Sequence, residues 1–510
     1  MTDLFNGHLS FLHHAQEIER RLYTWLPQSR FFPAKSRQID SLDLIDLIEL
    51  PRDKHLSHAH TDRSHWFLGI VRVVSGDASI TLTVPFSCES GFDDIHPLNQ
   101  SLPPELGASD TGNAPEFFIR LLHLLNSGES TGFHGRLLGA TLSRDCESFR
   151  YTERPSGDRV HSLASDTSNS TVAIDNHSVL KLIRTVHYGI HPEIDIGRFL
   201  VEQVPRWEGT PKLRGWIEYR SFLSDNASGV IAVLHDFLPQ CASAWDSLAL
   251  LLDQEIKGDS YALQHAKNLV TAIGHLTASM HEALSFLNSG DEFDSSPWSQ
   301  SDREKQADES VLQAQETVRC FSDYLSTTQR TDTWSADQLL LLSERMRMLT
   351  LLGSVPTRIR IHGDYHLGQV LAGGERVYVI DFEGEPARRL CERRVPSVAM
   401  RDVAGMCRSF DYAIACRNRR YAGSLDSGDW KTTSTISTDW LVQIFLEAYE
   451  SIAQQHSWWI SVPEERKILF DYFLLDKAFY ELQYEMNHRP DWISVPLGAL
   501  QKMAGVMITP

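Results

Sequence analysis

"RIRIHGDYHLGQVLAGGERVYVIDFEGEPARRL", residues 358–390, holds two short runs rich in Ile, Val and Tyr, and each gives way to a polar segment with an aspartate. Apolar, β-branched runs of this length predict strands buried in a core. The first run, 358–361, ends in His362-Gly363-Asp364, and the second, 377–380, ends in Asp381-Phe382-Glu383-Gly384. Two strands joined through residues 372–376 would bring both acids to one sheet edge, where ligands usually sit.

The rest of the chain sets limits on that site. With 510 residues it has room for two to four structural units, at roughly 150 residues per domain. A formal net charge of −19, from 48 basic and 67 acidic residues, argues against nucleic acid as the main partner, because phosphate backbones favour basic surfaces. Phosphate held locally through a metal is still compatible with it. No stretch approaches the ~20 apolar residues of a membrane span, and the start lacks a basic segment followed by an apolar core. Cys88, Cys146, Cys241, Cys320, Cys391, Cys407 and Cys416 are odd in number, with no CxxC or Cys/His ligand spacing. Neither a zinc site nor a disulfide framework is expected, and a reduced cytoplasmic setting fits best.

Along the chain, a helical pattern (Ile18, Leu22, Trp25, Leu26) precedes two strands, "WFLGIVRVV" and "SITLTVPF", separated by the turn "SGDA". A Pro-containing loop and the helix "APEFFIRLLHLLN" follow. "STVAIDNHSVLKLIR" predicts two short strands about Asp175-Asn176, a helix begins at Pro192, and "SGVIAVLHDFLPQ" ends a strand at a Pro. From Trp245 onward the pattern is mainly helical. Segments 288–310 and 423–437, rich in Ser with Asp or Thr, are expected as exposed insertions. No repeat of 20–50 residues is present. The expected class is α+β: a β-rich N-terminal cap over 1–90, an intermediate nucleotide-binding subdomain over 91–240, and a helical C-terminal lobe over 241–510 with the catalytic loop and the acceptor site. A mixed small lobe before a helical lobe that carries the acids is the layout of a bilobal, protein-kinase-like phosphotransferase.

Phosphoryl transfer to a hydroxyl needs an in-line acceptor oxygen, cations to neutralise the phosphates, and a group that orients the acceptor and takes its proton. Asp364 suits the last role. Gln369 follows five residues later and Asp381 twelve further on, a spacing that matches the Asp, Asn and DFG-Asp of protein kinases, with Gln in place of Asn and "DFEG" in place of DFG. Gln carries the same carbonyl oxygen on a longer stem, so a hard cation such as Mg²⁺ is still served. Taken alone, His362 and Asp364 read equally well as loop caps; the conjunction of motifs decides for catalysis. Upstream, Lys181 ends a strand where an ammonium reaches ATP phosphates, and Ser168, Asn169 and Ser170 precede it in a loop that offers N–H groups and hydroxyls. A Walker-type motif is absent. Glu193 and Asp195 both stand in the first turn of the next helix as partners for the lysine; as plain structure, both complement the helix dipole. "LHDFLPQ", 234–240, is the expected meeting place for adenine.

These residues carry a resemblance. "HGDYHLGQVL", "VYVIDFEGEPARRLCERRVPSVAMRDVAGMCRSFDYA" and "DKAFYELQYEMNHRPDWISVPL" closely resemble the actinobacterial maltokinases, ATP-dependent enzymes related to aminoglycoside phosphotransferases. "WLPQSRFFPAKSR" resembles their N-terminal cap, and the likeness spans nearly the whole chain. It implies a cap, an intermediate subdomain and a helical lobe, with phosphorylation of maltose at its anomeric hydroxyl to maltose 1-phosphate for α-glucan synthesis. A trehalose synthase is the partner it implies. By the same likeness Asp364 is the catalytic acid, Gln369 and Asp381 hold Mg²⁺, and Lys181 meets the nucleotide. Ser36 stands where Gly is common, and Asp195 where Glu is usual.

For the acceptor, "KAFYELQYEMNHRPDW" puts Glu481 and Glu485 on one helical face beside Tyr480 and Tyr484, with Trp492 beyond the Pro. His366 and Arg401 are further candidates. The plain structural alternative buries the tyrosines and leaves the glutamates on a solvated face. A glucosamine kinase, or another sugar or aminoglycoside kinase, is the nearest rival, since the Glu481/Glu485 pair would serve as counter-ion to an amine. A non-catalytic nucleotide-binding scaffold that recruits a glucan enzyme is the rival of another class.

Overall fold

A computed structural model describes residues 15–29, 32, 38–51, 65–88, 96–97, 114–142, 160–163, 169–224, 227–286, 294–328, 336–421 and 434–506. The chain parts into two compact units, one of residues 1–201 with 211–239, the other of 202–210 with 240–510.

The first unit opens with helix α1 (15–25) and a four-stranded antiparallel sheet, β1 (Ser41–Glu49), β2 (His65–Ser75), β3 (Ala78–Cys88) and β4 (His96–Pro97), in sequence order. β2 and β3 form the hairpin read from the sequence, closed by Gly76-Asp77. Helix α2 (Ala114–Ser127) leads to a seven-stranded sheet of β5 (Glu129–Thr131), β6 (Gly135–Thr141), β7 (Val160–Ser162), β8 (Ser170–Ile174), β9 (Ser178–Leu182), β10 (Leu213–Ser221) and β11 (Ser228–Asp236). Its order is β5-β6-β10-β11-β9-β8-β7. α2 buries Phe117, Phe118, Leu121, Leu124 and Leu125 in a core shared by both sheets. It lies so close to β6 that a Cβ at Gly139 would stand 2.5 Å from the Leu124 carbonyl. Asp175 and Asn176, at φ 56° and 50°, close β8 onto β9 with both central residues left-handed, the turn that matches strand twist and suits these two short polar side chains. The segment after β9 also pairs with β3, through the bridge Leu82↔Thr185 and the 2.8 Å bond from Thr83 N–H to Arg184 O. Helix α3 (Pro192–Glu202) then runs to β10.

The second unit is mainly helical: α4 (Ala244–Ile256), α5 (Ala262–Ser285), α6 (Gln300–Thr328), α7 (Ala336–Glu344), α8 (Leu390–Arg393), α9 (Met400–Tyr421), α10 (Thr438–Ala453), α11 (Pro463–His488) and α12 (Ser494–Val506). Among the described residues no helix is long and apolar enough to cross a membrane. One expected insertion is partly helix: residues 300–310 form the start of α6, with Arg303, Ala307, Ser310, Val311 and Ala314 buried. The Ser and Asp content there is the outer face of a helix whose first turn Ser299 caps, its hydroxyl accepting from Asp302 N–H at 3.2 Å. Residues 287–293 and 422–433 lie outside the described residues, whereas Ser437 caps α10.

The strand pairing expected from 358–380 is corrected. Only Thr357–Arg358 of the first run is strand, and it pairs with Ser296–Pro297; Ile359 bridges Ser397. The partner of Arg376–Val379 is instead Val370–Gly373, a hairpin whose other neighbour is Ala242–Ser243. The ladder ends at Ile359, and at His362 and Gly363 a side chain takes the backbone donors. Asp402, on α9, accepts from His362 N–H at 2.7 Å and from Gly363 N–H at 2.9 Å.

Candidate active site

The loop 359–369 of the second unit is set by that carboxylate. Asp402 is fully buried, and the imidazole Nε2 of His281 on α5 lies 3.2 Å from Oδ2, the oxygen that also accepts from His362 N–H, with Tyr449 of α10 2.8 Å from the far ring nitrogen. Burial pushes the Asp402 carboxyl up, but the hydrogen bond and charge of His281 outweigh it, and the group is held below its usual value. Gly363, at φ +84°, makes the left-handed turn that a side chain would strain. His362 then joins the loop to the second aspartate's strand: Nε2–H donates to Ile380 O at 2.9 Å, and Nδ1 accepts from Asp364 N–H at 3.3 Å.

This frame carries Asp364, Gln369 and Asp381, and brings the last two into contact. Ile380 N–H donates to Gln369 O at 2.9 Å, and the Gln369 Nε2 donates to Asp381 Oδ2 at 3.3 Å. Asp381 sits at φ +69°, a costly conformation for a residue other than Gly and one that clusters at functional sites. An amide orientation is assigned from its hydrogen bonds; reversed, Gln369 presents Oε1 beside the Asp381 carboxylate. Two oxygen donors of that kind fit a hard dication such as Mg²⁺. His366 caps the turn Leu367–Gln369, its Nδ1 accepting from Gly368 N–H at 3.1 Å. Burial holds its pKa below the usual histidine value, so the ring is neutral at pH 7.

Asp364 is partly open and pairs with Lys477 of α11, whose Nζ lies 3.8 Å from Oδ1. Lys477 also lies over the Tyr480 ring, 4.8 Å from its centre. The Tyr480 hydroxyl bonds to Glu385, and burial raises its pKa above the usual phenol value. Glu385 is buried and bound by Arg388 at 2.7 Å and Arg401 at 2.9 Å. Burial alone would raise the Glu385 carboxyl; Arg401, Lys477 and Arg388 together bring it below its usual value.

The two expected sugar-gripping acids do share a helical face, but it is turned inward. Glu481 Oε2 accepts from Arg408 Nε at 2.9 Å and Nη2 at 2.6 Å. Burial pushes the Glu481 carboxyl up. Glu485 is 1% exposed and is bound by the Tyr412 hydroxyl at 2.9 Å and by Arg489 at 3.0 and 2.6 Å. Tyr484, in contrast, is 40% exposed and stacks on His488, ring centres 4.5 Å apart. Trp492 stacks on Tyr412 and carries Arg419 at 4.1 Å from its ring centre. The plain structural alternative is therefore inverted too: the glutamates are inside and a tyrosine is out. A spacing of four identifies a common face, not what covers it.

In the first unit, Lys181 of β9 pairs with Glu193 of α3 at 3.2 Å, the two side chains 12% and 4% exposed. His235 of β11 stands 3.7 Å from the other Glu193 oxygen. The choice between two acids falls to Glu193. Asp195, half-buried, is two residues further round the turn, its N–H on His191 O at 3.0 Å. Ser168 lies outside the described residues. Asn169 and Ser170 are committed to Arg184: Asn169 Oδ1 accepts from its N–H at 3.1 Å, and Ser170 Oγ from Nε at 2.9 Å and Nη2 at 2.8 Å. Burial pushes that guanidinium down to about 9. The segment 234–240 holds the boundary between the two units, and Phe237 N–H donates to His177 O at 2.9 Å.

Sequence reasoning missed Lys477, Glu385, Asp402 and Arg408. Lys477 alone had a visible signal, as the cation three residues before Tyr480.

No family model matches the chain. A glucosamine kinase of Mycolicibacterium smegmatis is 25% identical over 389 residues, 74% of this chain and 86% of that protein. A solved glucosamine kinase in complex with glucosamine, ADP and inorganic phosphate has a TM-score of 0.58 at 18% identity, covering 94% of this chain and 96% of that one. A further crystal form of glucosamine kinase gives a TM-score of 0.60 at 18% identity, over 93% and 96%. The fold is thus α+β and protein-kinase-like.

Proposed function

We infer that this protein is an ATP-dependent phosphotransferase that moves the γ-phosphoryl group to a sugar hydroxyl, and we propose maltose as the acceptor, phosphorylated at its anomeric hydroxyl. The observation that carries the reading is the joined set Asp364, Gln369 and Asp381, fixed on one frame by His362 and Asp402. Asp364 orients the acceptor and takes its proton as the new O–P bond forms and ADP leaves. Gln369 and Asp381 would hold the Mg²⁺, which when bound neutralises phosphate charge. Lys181, fixed by Glu193, meets the nucleotide phosphates. Side chains arranged this fully support an enzyme over a nucleotide-binding scaffold.

Two observations bear on the acceptor. The motif likeness to maltokinases favours maltose, and so does the pairing of three candidate counter-ions: Glu385, Glu481 and Glu485 each carry a guanidinium partner. The glucosamine kinase relatives favour the second reading, glucosamine. An acceptor screen with ATP and Mg²⁺ over maltose, glucose, glucosamine and an aminoglycoside decides between them. Highest kcat/KM on maltose is expected; highest kcat/KM on glucosamine would put the second reading in its place. Supply of maltose by a trehalose synthase belongs to the same proposal, and a coupled assay from trehalose with that enzyme added tests it.

A further inference from the structure

We propose that Lys477 selects the acceptor by charge: its ammonium admits a neutral sugar and turns away one that carries an ammonium group beside the reacting hydroxyl. The inference deepens the reading above and rests on Asp364 as the group that receives the acceptor's proton.

Lys477 and Asp364 face one another, Nζ to Oδ1, at 3.8 Å, with side chains 30% and 22% exposed. The pair is open enough to be met by substrate and enclosed enough that water does not fully screen it. A hydroxyl that gives its proton to Asp364 must lie about 2.6–3.2 Å from the carboxylate. A substituent on the next carbon of the same sugar then falls beside the lysine. A hydroxyl there accepts from the ammonium, which has donors to spare. An ammonium there meets a like charge, and like charges in a partly desolvated site repel far more than in water. Discrimination built from a repulsive element as well as attractive ones is a general route to specificity.

The surroundings reinforce this. Tyr480, three residues on, lies under the lysine and limits where its flexible stem can swing. Glu385, the closest alternative counter-ion for an incoming amine, is already shared by Arg388 and Arg401. Glu385 keeps Arg388 and Arg401 when Lys477 is replaced, and the unfolding midpoint of each variant is measured beside its inhibition constants.

The test uses maltose phosphorylation as the assay, with glucose and glucosamine as competing sugars of equal size that differ in charge. In the wild type, the inhibition constant of glucosamine is expected to exceed that of glucose by about tenfold or more. Lys477→Met should bring the two within about twofold, chiefly by tightening glucosamine, and Lys477→Arg should keep the gap. Equal constants in the wild type, or a gap unmoved in Lys477→Met, would overturn the inference while maltose turnover stands. No maltose turnover in the wild type would remove the acceptor reading first, and this inference with it.

Discussion

The loop 359–369 and helix α11 face the same chemistry and are built in opposite ways. Around the loop, buried groups spend hydrogen bonds on its backbone: Asp402 of α9 on two N–H groups, and His362 of the loop itself on a carbonyl and an N–H. Asp364 is thereby positioned with only a loose ion pair, to Lys477 at 3.8 Å. On α11 the acids are themselves the buried groups, and Arg408, Tyr412 and Arg489 consume them. Carboxylates in the loop are supported so as to act, whereas those of the helix hold two helices together. The comparison implies that a carboxylate removed from the loop costs rate, and one removed from the helix costs stability.

The largest effect should come from Asp364→Asn. Loss of the proton acceptor is expected to lower kcat by about 10²–10⁴-fold, with ATP affinity unchanged because Gln369, Asp381 and Lys181 are untouched. Near-normal turnover would put Asp364 on the structural side of the comparison. Asp402→Ala tests the support beneath it. A buried ionic group removed from its partners typically costs about 3–5 kcal/mol, here by stranding His281 and two loop N–H groups. A drop in the unfolding midpoint with a matching loss of kcat is expected. A stable, inactive variant would mean that the loop's position matters and its anchoring energy does not.

What the sequence disclosed follows the same division. The loop and the hairpin after it are contiguous, and their residue types are dictated by chemistry, so Asp364, Gln369 and Asp381 were legible at fixed spacing. The pairing of strands was not, because 358–361 has strand composition but its partners, Ser296–Pro297 and Ser397, are remote in sequence. Lys181 was legible as a strand lysine. Its partner was not, since Glu193 and Asp195 differ by 200° of helix rotation in a way that only the packing of α3 against β9 resolves. The β2–β3 hairpin was plain from alternation and "SGDA". Glu481 and Glu485 were placed on one face correctly, but the arginine that covers Glu481 comes from 73 residues upstream, while that of Glu485 stands four residues on and was not read as its partner.

A smaller effect is expected at Glu485. Glu485→Ala removes two charge-assisted contacts from Arg489 and one from Tyr412, a loss of about 1–3 kcal/mol of stability. Because Arg489 is half exposed, water takes up part of the vacated hydrogen bonding. The KM for the acceptor should move less than twofold. A large rise in KM with unchanged stability would return Glu485 to the acceptor site and dissolve the contrast between loop and helix.

The smallest effect probes a group of the loop that carries neither rate nor burial energy of that size. His366 is held below the ordinary histidine pKa mainly by burial, so the unfolded chain takes up its proton more readily than the folded one. The stability linked to this group is fully present above about pH 6.5 and is lost as pH falls through the lower folded value. Replacing it by His366→Gln, which keeps an oxygen to accept the Gly368 N–H, should flatten the fall in stability below pH 6.5 while leaving stability at pH 8 nearly unchanged. An unaltered pH profile would mean that other histidines set the acid limb. A collapse of stability at pH 8 would show instead that the cap on Leu367–Gln369, and not the proton, is what the loop requires of this residue.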